Sequence, residues 1–293
     1  MKVYFLPYLA SMWRSMLPLY REHKAAGDEV YVMPIPYYGR DMTGDLKDLY
    51  YDGYSFPVPV VDYRQVDLRR ENPDKLYFHN PYDNANRVTS VAPEYYSWEL
   101  RKATKELIFV PYYTKAAGDI ASVVHSSGVH NADTVIVWTA AQKAAYETEA
   151  KHVVQKDFPE RLFDIPSIDN SWIKKITGKN VVFFNNSLGS LIDHPGRAIG
   201  QVDEIVRSFE RRREDCLWWR PHPLYAITLK ALYPPGLMEY YCNTLRWFDE
   251  WDGGIYDDRW DVDSAAMIAH EYLGNPSSVV ELFKDQGKKV TIV

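Results

Sequence analysis

Hydrophobic runs that alternate with amphipathic segments are the main pattern along this chain. Apolar positions at helical spacing occupy residues 11–26, where Pro18 is expected to kink the helix, and residues 140–154. Six short runs, rich in β-branched and aromatic residues, predict strands at VYFLPY (3–8), EVYVMPI (29–35), VPVV (58–61), KLYFHN (75–80), ELIFVPYY (106–113) and TVIVWT (134–139). Such alternation predicts a mostly parallel sheet that is covered on both faces.

The same alternation restarts after the polar, proline-containing segment 156–170. A helix is also expected from Leu224, interrupted by Pro234 and Pro235. The other predicted elements are the strand NVVFFNNS (180–187), the helix 198–214, the strand CLWWR (216–220), and the α/β segments 254–258, 263–272, 277–287 and 289–293. The predicted fold class is α/β, with two Rossmann-like doubly wound lobes, residues 1–165 and 166–293, and a cleft between them.

Composition and charge exclude several classes of protein. Of the 293 residues, 46% are hydrophobic and 25% are charged, and no stretch approaches the roughly 20 apolar residues of a membrane-spanning helix. The N-terminus MKVYFLPYLASMW lacks the features of a secretory signal, so we expect a cytoplasmic protein. The net charge of −6 argues against a nucleic-acid partner. With only Cys216 and Cys242, neither a disulfide framework nor a cysteine metal cluster is expected.

The segment LWWRPHPLY (217–225) places a histidine between two prolines at the end of a predicted buried strand. Each proline fixes its own φ and biases the preceding residue toward extended geometry, so Arg220 and His222 are not expected to join a helix or a regular ladder. A guanidinium binds phosphate oxygens with a fork of donors, and an imidazole donates to them or changes protonation near neutral pH. We interpret the pair as phosphate-binding, with a structural core histidine as the alternative for His222.

Other polar residues directly follow predicted strands, and such loops converge on one edge of a parallel sheet. In LGNPSSVVELF (273–283), Gly274 permits close backbone approach, and Ser277 and Ser278 are expected at the start of a helix, where N–H groups and the helix dipole favour an anion. A simple serine cap is the alternative. The other candidates for donor binding at this edge are Asn185, Ser187, Asp258 and Asn275.

The acidic pair Asp257 and Asp258 raises the question of a metal. No third ligand or ligand spacing supports a cation site, so we interpret the pair as a turn or a ribose contact and expect neither a metal nor another cofactor. The amphipathic stretch SMWRSML (11–17) is interpreted as a helix that packs on the sheet. Contact with a lipid-linked acceptor at the inner face of the membrane is the alternative for this stretch.

Several of these segments together resemble one enzyme family, the CDP-glycerol glycerophosphotransferases related to teichoic-acid primases and polymerases, which have the GT-B fold. The resemblance covers nearly the whole chain, and the order and spacing of its segments carry it. These segments are FLPYLASMW (5–13), VMPIPYY (32–38), YDGYSFP (51–57), FHNPYDNANRVTSV (78–91), FVPYY (109–113), WRPHPL (219–224), IYDD (255–258) followed by Asp261 and Asp263, and YLGNPSSVVELF (272–283).

The resemblance implies a reaction and a role for individual residues. The family transfers an alcohol phosphate from a CDP-alcohol, such as CDP-glycerol, to a hydroxyl of a glycan or lipid-linked acceptor and releases CMP. His222 and Arg220 then correspond to the donor-side histidine motif, and Ser277 and Ser278 to the serine pair at the diphosphate. His79, in a strand-end loop, is implied as the catalytic base. The first lobe is expected to bind the acceptor and the second the CDP-alcohol.

Two other functions stay open at this point. The same architecture supports a glycosyltransferase that uses a nucleotide sugar, because a fold does not fix a function. A catalytically weak nucleotide- or polyol-binding protein is the third hypothesis, motivated by Asn275 at a position where the family pattern leads us to expect aspartate. The polyol, the acceptor and the oligomeric state are not predicted by the sequence.

Overall fold

The chain divides into two compact units, Met1–Leu162 and Phe163–Val293. The structure is a computed structural model that describes residues 1–115, 120–163 and 166–293. The domain boundary predicted at residue 165 lies outside the described residues. Each unit has its own parallel sheet, in agreement with the α/β class predicted from the alternating pattern.

The first unit contains a six-stranded sheet with the order β2-β1-β5-β7-β8-β9, in which every neighbouring pair is parallel. Five of these strands coincide with predicted runs and end two to four residues earlier. The strands are β1 (Lys2–Leu6), β2 (Glu29–Val32), β5 (Lys75–Phe78), β7 (Glu106–Phe109), β8 (Thr134–Val137) and β9 (Val153–Gln155).

A small antiparallel sheet in the first unit was not predicted. It has the order β4-β3-β6 and consists of β3 (Tyr37–Arg40), β4 (Leu46–Tyr50) and β6 (Thr89–Val91). The strand predicted at 58–61 is absent, since Pro57 and Pro59 lack the N–H donors of a ladder and only Val61 donates, to the Val32 carbonyl at 2.9 Å.

The helices of the first unit are shorter than the pattern predicted. The segment 11–26 forms a 3-10 helix, Ala10–Ser15, followed by α1, because Pro18 lies in the first turn of α1, where its missing N–H is tolerated. The helix predicted over 140–154 ends at Tyr146, and β9 follows it. The helices are α1 (Leu17–Ala25), α2 (Leu68–Glu71), α3 (Ser97–Leu100), α4 (Ala121–Val124), α5 (Ser127–Asn131) and α6 (Ala140–Tyr146).

The second unit contains a five-stranded parallel sheet with the order β12-β11-β10-β13-β14. Its strands are β10 (Asn180–Asn185), β11 (Asp215–Trp219), β12 (Gly254–Tyr256), β13 (Glu271–Gly274) and β14 (Lys289–Ile292). Its helices are α7 (Asn170–Ile176), α8 (Leu188–Asp193), α9 (Pro195–Ser208), α10 (Tyr225–Leu232), α11 (Pro235–Trp251), α12 (Val262–Ile268) and α13 (Val280–Asp285).

Alternate residues of the central strands of this sheet face two separate cores. Trp219 packs with residues of α9, α10 and α11 on one face, and Trp218 packs with residues of α12 and α13 on the other. Helices therefore cover both faces, as in a doubly wound sheet.

Each parallel sheet has a point where the strand order reverses. In the first unit the chain passes from β1 to β2 on one side and to β5 on the other, and in the second unit it passes from β10 to β11 on one side and to β13 on the other. In open α/β sheets, ligands bind outside the carboxyl ends of the strands at such switch points. His79 follows β5, whereas Asn185 and Gly274 end β10 and β13, so the predicted site residues lie at both switch points.

Candidate functional site

Gly274 brings two loops of the second unit together at the switch point. It has φ +148°, and a Cβ at this position would lie 2.1 Å from the Asn185 carbonyl oxygen. Only glycine fits such a contact, as the sequence predicted for close backbone approach. The Asn275 N–H donates to the same carbonyl at 3.1 Å, and the Asn185 side chain donates to the Arg220 carbonyl at 2.8 Å. The ends of β10, β11 and β13 are thereby fixed to one another.

The Asn275 amide uses both of its ends to hold neighbouring loops. Its oxygen accepts from the Ser187 N–H at 2.9 Å and from the Ser190 hydroxyl at 3.0 Å, and its nitrogen donates to the Val293 carbonyl at 3.1 Å. A carboxylate could accept but not donate. The bond to Val293 therefore requires an amide and gives a structural reason for asparagine at the position where we expected aspartate.

The Asp257 carboxylate is the charged centre of this edge. It is fully buried, pairs with Arg220 at 2.9 Å and with the Arg259 Nε at 3.0 Å, and accepts from the Trp218 indole at 2.9 Å. Burial is the largest influence and by itself raises the pKa of Asp257, but the arginine charges and the hydrogen bonds together hold the pKa below its ordinary value.

The Arg220 guanidinium makes its contacts with other residues of the second unit. Besides Asp257, it donates to the Arg259 carbonyl, and the residue is only 6% exposed. The structure therefore assigns Arg220 first to this internal network. Two arginines and one aspartate leave the network with a net charge of +1.

His222 is held in one tautomer at the same edge. Its Nδ1 accepts from the Leu224 N–H at 3.1 Å, so a neutral ring carries its proton on Nε2. Burial lowers the pKa of His222 to about 4, and the ring is therefore neutral at physiological pH. The backbone N–H of His222 donates to the Asn186 carbonyl at 3.0 Å. As predicted for a residue between two prolines, His222 joins neither a helix nor a strand, and its Nε2–H is available as a donor.

A pocket of about 330 Å³, part of it open to solvent, adjoins Arg220 and His222. Its walls include Tyr225, Tyr241, Tyr256 and Asp258. The three tyrosines were not predicted as site residues, and their hydrophobic spacing in the sequence indicates only a helix face or a strand.

The serine pair differs from the prediction. The helix α13 begins at Val280, not at Ser277, and its N-cap residue Val279 makes no side-chain cap bond. Ser278 is exposed, and the Ser277 hydroxyl lies 3.3 Å from the Tyr272 hydroxyl, which also donates to the Asn275 carbonyl. The turn before α13 thus separates both serines from the helix start, and their proposed contact with a diphosphate stays a prediction.

His79 lies at the switch point of the first unit and is completely buried. Its Nε2 accepts from the Tyr8 N–H at 3.2 Å, and its Nδ1, which then carries the proton of a neutral ring, has no hydrogen-bond partner. Burial lowers the pKa of His79 to about 3. In this arrangement the ring has no free lone pair, so the base role of His79 stays a prediction that requires release of the Tyr8 N–H.

The described residues contain no group of three or more His, Cys, Asp or Glu side chains that could hold a metal ion. Within the same ranges, no helix has the length and apolar character needed to cross a membrane. Met12, Trp13 and Met16 of the amphipathic stretch 11–17 are buried in the first unit.

Comparisons with known proteins show the fold. No family model matches the chain, and no curated protein matches it either. Among solved structures, the UDP-GlcNAc 2-epimerase of Methanocaldococcus jannaschii in complex with UDP-GlcNAc and UDP has a TM-score of 0.58 and 10% identity, with 99% of this chain and 83% of that chain covered.

MnaA of S. aureus, in a co-structure with UDP, gives a TM-score of 0.56 at 15% identity and covers 100% of this chain and 79% of that chain. The UDP-GlcNAc 2-epimerase of Neisseria meningitidis bound to UDP-GlcNAc gives a TM-score of 0.55 at 11% identity and covers 100% of this chain and 82% of that chain. At such low identity the likeness concerns the fold alone. The two α/β units of this chain therefore have the GT-B fold of these nucleotide-sugar enzymes.

Proposed function

We propose that this protein is a transferase that binds a nucleoside-diphosphate-linked donor at the carboxyl edge of the second unit's sheet. The donor is CDP-glycerol or a related CDP-alcohol, and the polyol phosphate moves to a hydroxyl of a glycan or lipid-linked acceptor. The GT-B fold supports a nucleotide-dependent enzyme, and the resemblance in WRPHPL (219–224) and YLGNPSSVVELF (272–283) supports the cytidine donor. A peripheral contact with the membrane belongs to this proposal only through the lipid-linked acceptor.

The observation that carries the proposal is the fixed tautomer of His222 beside a network with a net positive charge. The Leu224 N–H occupies Nδ1, so Nε2–H is a neutral donor that does not depend on pH near neutrality. A neutral N–H and nearby positive charge stabilise phosphate oxygens without adding a proton to them. Gly274 and Asn275 fix the neighbouring loops, so these groups are preorganised.

The reaction needs one bond to form and one to break. The oxygen of the acceptor hydroxyl attacks the phosphorus that carries the polyol, the bond from this phosphorus to the bridging oxygen breaks, and CMP leaves with that oxygen. The hydroxyl proton passes to a base, for which His79 is the candidate. His222 would donate from Nε2–H to the departing phosphate, and Ser277 and Ser278 would add hydroxyl donors.

The test is a calorimetric titration of wild-type protein and of His222→Ala with cytidine, CMP and CDP-glycerol. We expect wild type to bind CDP-glycerol and CMP more tightly than cytidine, and His222→Ala to weaken CMP and CDP-glycerol binding by about 1.5–3 kcal/mol, the range for a hydrogen bond to a charged group. Cytidine binding should change far less. His194→Ala is the matched control, because His194 is exposed in the same unit and caps no helix through its side chain.

A purely thermal effect of His222→Ala, with unchanged affinity for phosphates, would contradict the donor site and favour a structural histidine. Release of CMP from CDP-glycerol with a glycan acceptor then tests transfer itself. Binding of CMP without turnover on any acceptor would support the third hypothesis, a catalytically weak nucleotide- or polyol-binding protein.

A glycosyltransferase or related enzyme that acts on a nucleotide sugar is the second candidate. The observation that favours it is the fold likeness to three structures that contain UDP or UDP-GlcNAc. Because the fold alone is shared, the likeness does not choose the nucleotide. Tighter binding of UDP-GlcNAc than of CDP-glycerol in the same titration would replace the first candidate with this one.

A further inference from the structure

The two aspartates that follow β12 have opposite surroundings. Asp257 is buried and fully engaged by Arg220, Arg259 and the Trp218 indole. Asp258 is exposed at the wall of the pocket and makes no hydrogen bond or ion pair with another residue in the described part of the chain. The pocket thus has one carboxylate whose charge is not neutralised by the protein.

The other walls of the pocket are uncharged or already paired. Tyr225 and Tyr241 are fully buried, and their hydroxyls make no hydrogen bond of normal geometry, although the Asn186 amide and the Tyr256 hydroxyl are their respective neighbours. Arg220 forms an ion pair with Asp257. Buried hydroxyls without partners are costly unless a ligand or water satisfies them, so the pocket suits a ligand with polar edges and flat faces.

Charge decides which part of a nucleotide fits here. A phosphate beside Asp258 would place two negative charges together, whereas His222 offers a neutral N–H donor and Arg220 belongs to a network with a net charge of +1. The uncharged part of the donor therefore faces Asp258. A carboxylate only accepts hydrogen bonds, so the group that it contacts must be a donor.

We propose that this pocket holds the nucleobase of the donor and that the Asp258 carboxylate accepts from an exocyclic amino group, which selects cytosine over uracil. The inference rests on the proposed function, since it assumes that the phosphates lie at His222. Cytosine presents an N–H₂ donor at the position where uracil presents a carbonyl oxygen, and Asp or Glu side chains accept from that amino group in protein–nucleic acid complexes. The same carboxylate would repel the uracil oxygen.

The experiment measures the dissociation constants of CMP and UMP for wild-type protein, for Asp258→Asn and for Asp249→Asn. Asparagine keeps the shape of the side chain but offers both a donor and an acceptor, so it pairs with either base. Asp249→Asn is the control, because it removes the same charge from an exposed position on α11. We expect wild type and Asp249→Asn to prefer CMP by about tenfold or more, and Asp258→Asn to bring the ratio close to one.

The outcomes separate this inference from the proposed function. Binding of both nucleotides more tightly than their nucleosides, with a base preference that Asp258→Asn leaves unchanged, overturns the role of Asp258 and leaves the donor site standing. A wild-type preference for UMP overturns it as well and supports the nucleotide-sugar candidate. Failure of wild type to bind either nucleotide overturns both proposals. Thermal unfolding of Asp258→Asn should match wild type, since Asp258 makes no contact that the substitution breaks.

Discussion

Asp83, in the loop after β5 of the first unit, and Asp257, in the loop after β12 of the second, are buried carboxylates with different partners. Asp83 accepts from the Ser97 N–H at 2.7 Å and from the hydroxyls of Ser97 and Ser127 at 2.5 and 2.7 Å. Asp257 pairs with two arginines. Burial raises the pKa of Asp83, whereas the arginines hold that of Asp257 below its ordinary value.

The comparison extends to the histidines of the two edges. His79 and His222 each accept one backbone N–H and each stay neutral, but His79 is fully buried and His222 lies beside a pocket and a positive network. The edge of the second unit therefore offers donors and positive charge to an anion. The loop after β5 holds its carboxylate with neutral groups. Substitutions in matched pairs test this contrast.

The largest effect is expected for the two carboxylates. Asp257→Asn should lower the free energy of unfolding by about 3–5 kcal/mol, because it leaves two arginine charges without their partner, one of them deeply buried. Asp83→Asn should lower the free energy of unfolding by about 1–3 kcal/mol, since it loses only some of the hydrogen bonds from uncharged donors. Denaturant unfolding at pH 7 measures both. Equal losses would contradict the contrast between a charge-paired and a neutral edge.

The pH dependence of the same pair has opposite signs. The stability that ionised Asp257 contributes is present above the ordinary pKa of 3.8 and is lost as the pH falls through its lowered pKa. Asp83 has a raised pKa, so its contribution is greatest at acid pH and declines as the pH rises above 3.8 through the raised value. Asp83→Asn should remove that decline, whereas Asp257→Asn should remove the loss at low pH.

The next effect concerns the two glycines at which loops approach closely. Gly274→Ala should lower the free energy of unfolding by about 2–3 kcal/mol or more, because the new Cβ would clash with the Asn185 carbonyl and φ is positive. Gly128→Ala in the first unit should cost less, since its Cβ would lie 2.8 Å from Pro81 without a positive φ. Gly236→Ala is the control, with no atom within 4 Å of the new Cβ. A loss at Gly236 as large as that at Gly274 would show that the contact with Asn185 is not the cause.

These pairs show which features the sequence predicted and which it could not. The alternation of runs predicted a parallel sheet in each unit but not the strands β9 and β13. The prolines around His222 predicted its exclusion from regular structure. The pairing of Arg220 with Asp257 was not predicted, because it joins residues 37 positions apart that meet only when β11 and β12 are adjacent. The sequence also could not predict that the Asn275 side chain donates a hydrogen bond to Val293, the residue that follows β14.

The small antiparallel sheet was missed for a related reason. Its strand β4 is LKDLY, exposed and partly charged, so its hydrophobic pattern is weak. The start of α13 was misplaced because serine favours helix N-termini, whereas the turn after Gly274 extends to Val279.

A smaller effect is expected when the histidines are titrated. Both have lowered pKa values, so the folded protein keeps them neutral while the unfolded chain binds protons below the ordinary value of 6.5. Their contribution to stability is present above pH 6.5 and is lost as the pH falls toward about 4 for His222 and about 3 for His79. His79→Gln should remove about 2 kcal/mol of the stability loss between pH 7 and 5. His222→Gln should remove less, because its ring is partly exposed. Urea unfolding at the two pH values checks this.

The smallest effect concerns tyrosine hydroxyls, and it distinguishes an internal hydrogen bond from a ligand contact. In the first unit the Tyr146 hydroxyl bonds to the Tyr113 hydroxyl at 2.7 Å, so Tyr146→Phe should cost about 1 kcal/mol of stability. In the second unit the Tyr241 hydroxyl is buried without a hydrogen bond of normal geometry, so Tyr241→Phe should leave stability unchanged or slightly higher. If the pocket binds a nucleobase, the same substitution should weaken CMP binding a few-fold. A loss of stability with unchanged CMP affinity would instead make this hydroxyl part of the core of the second unit.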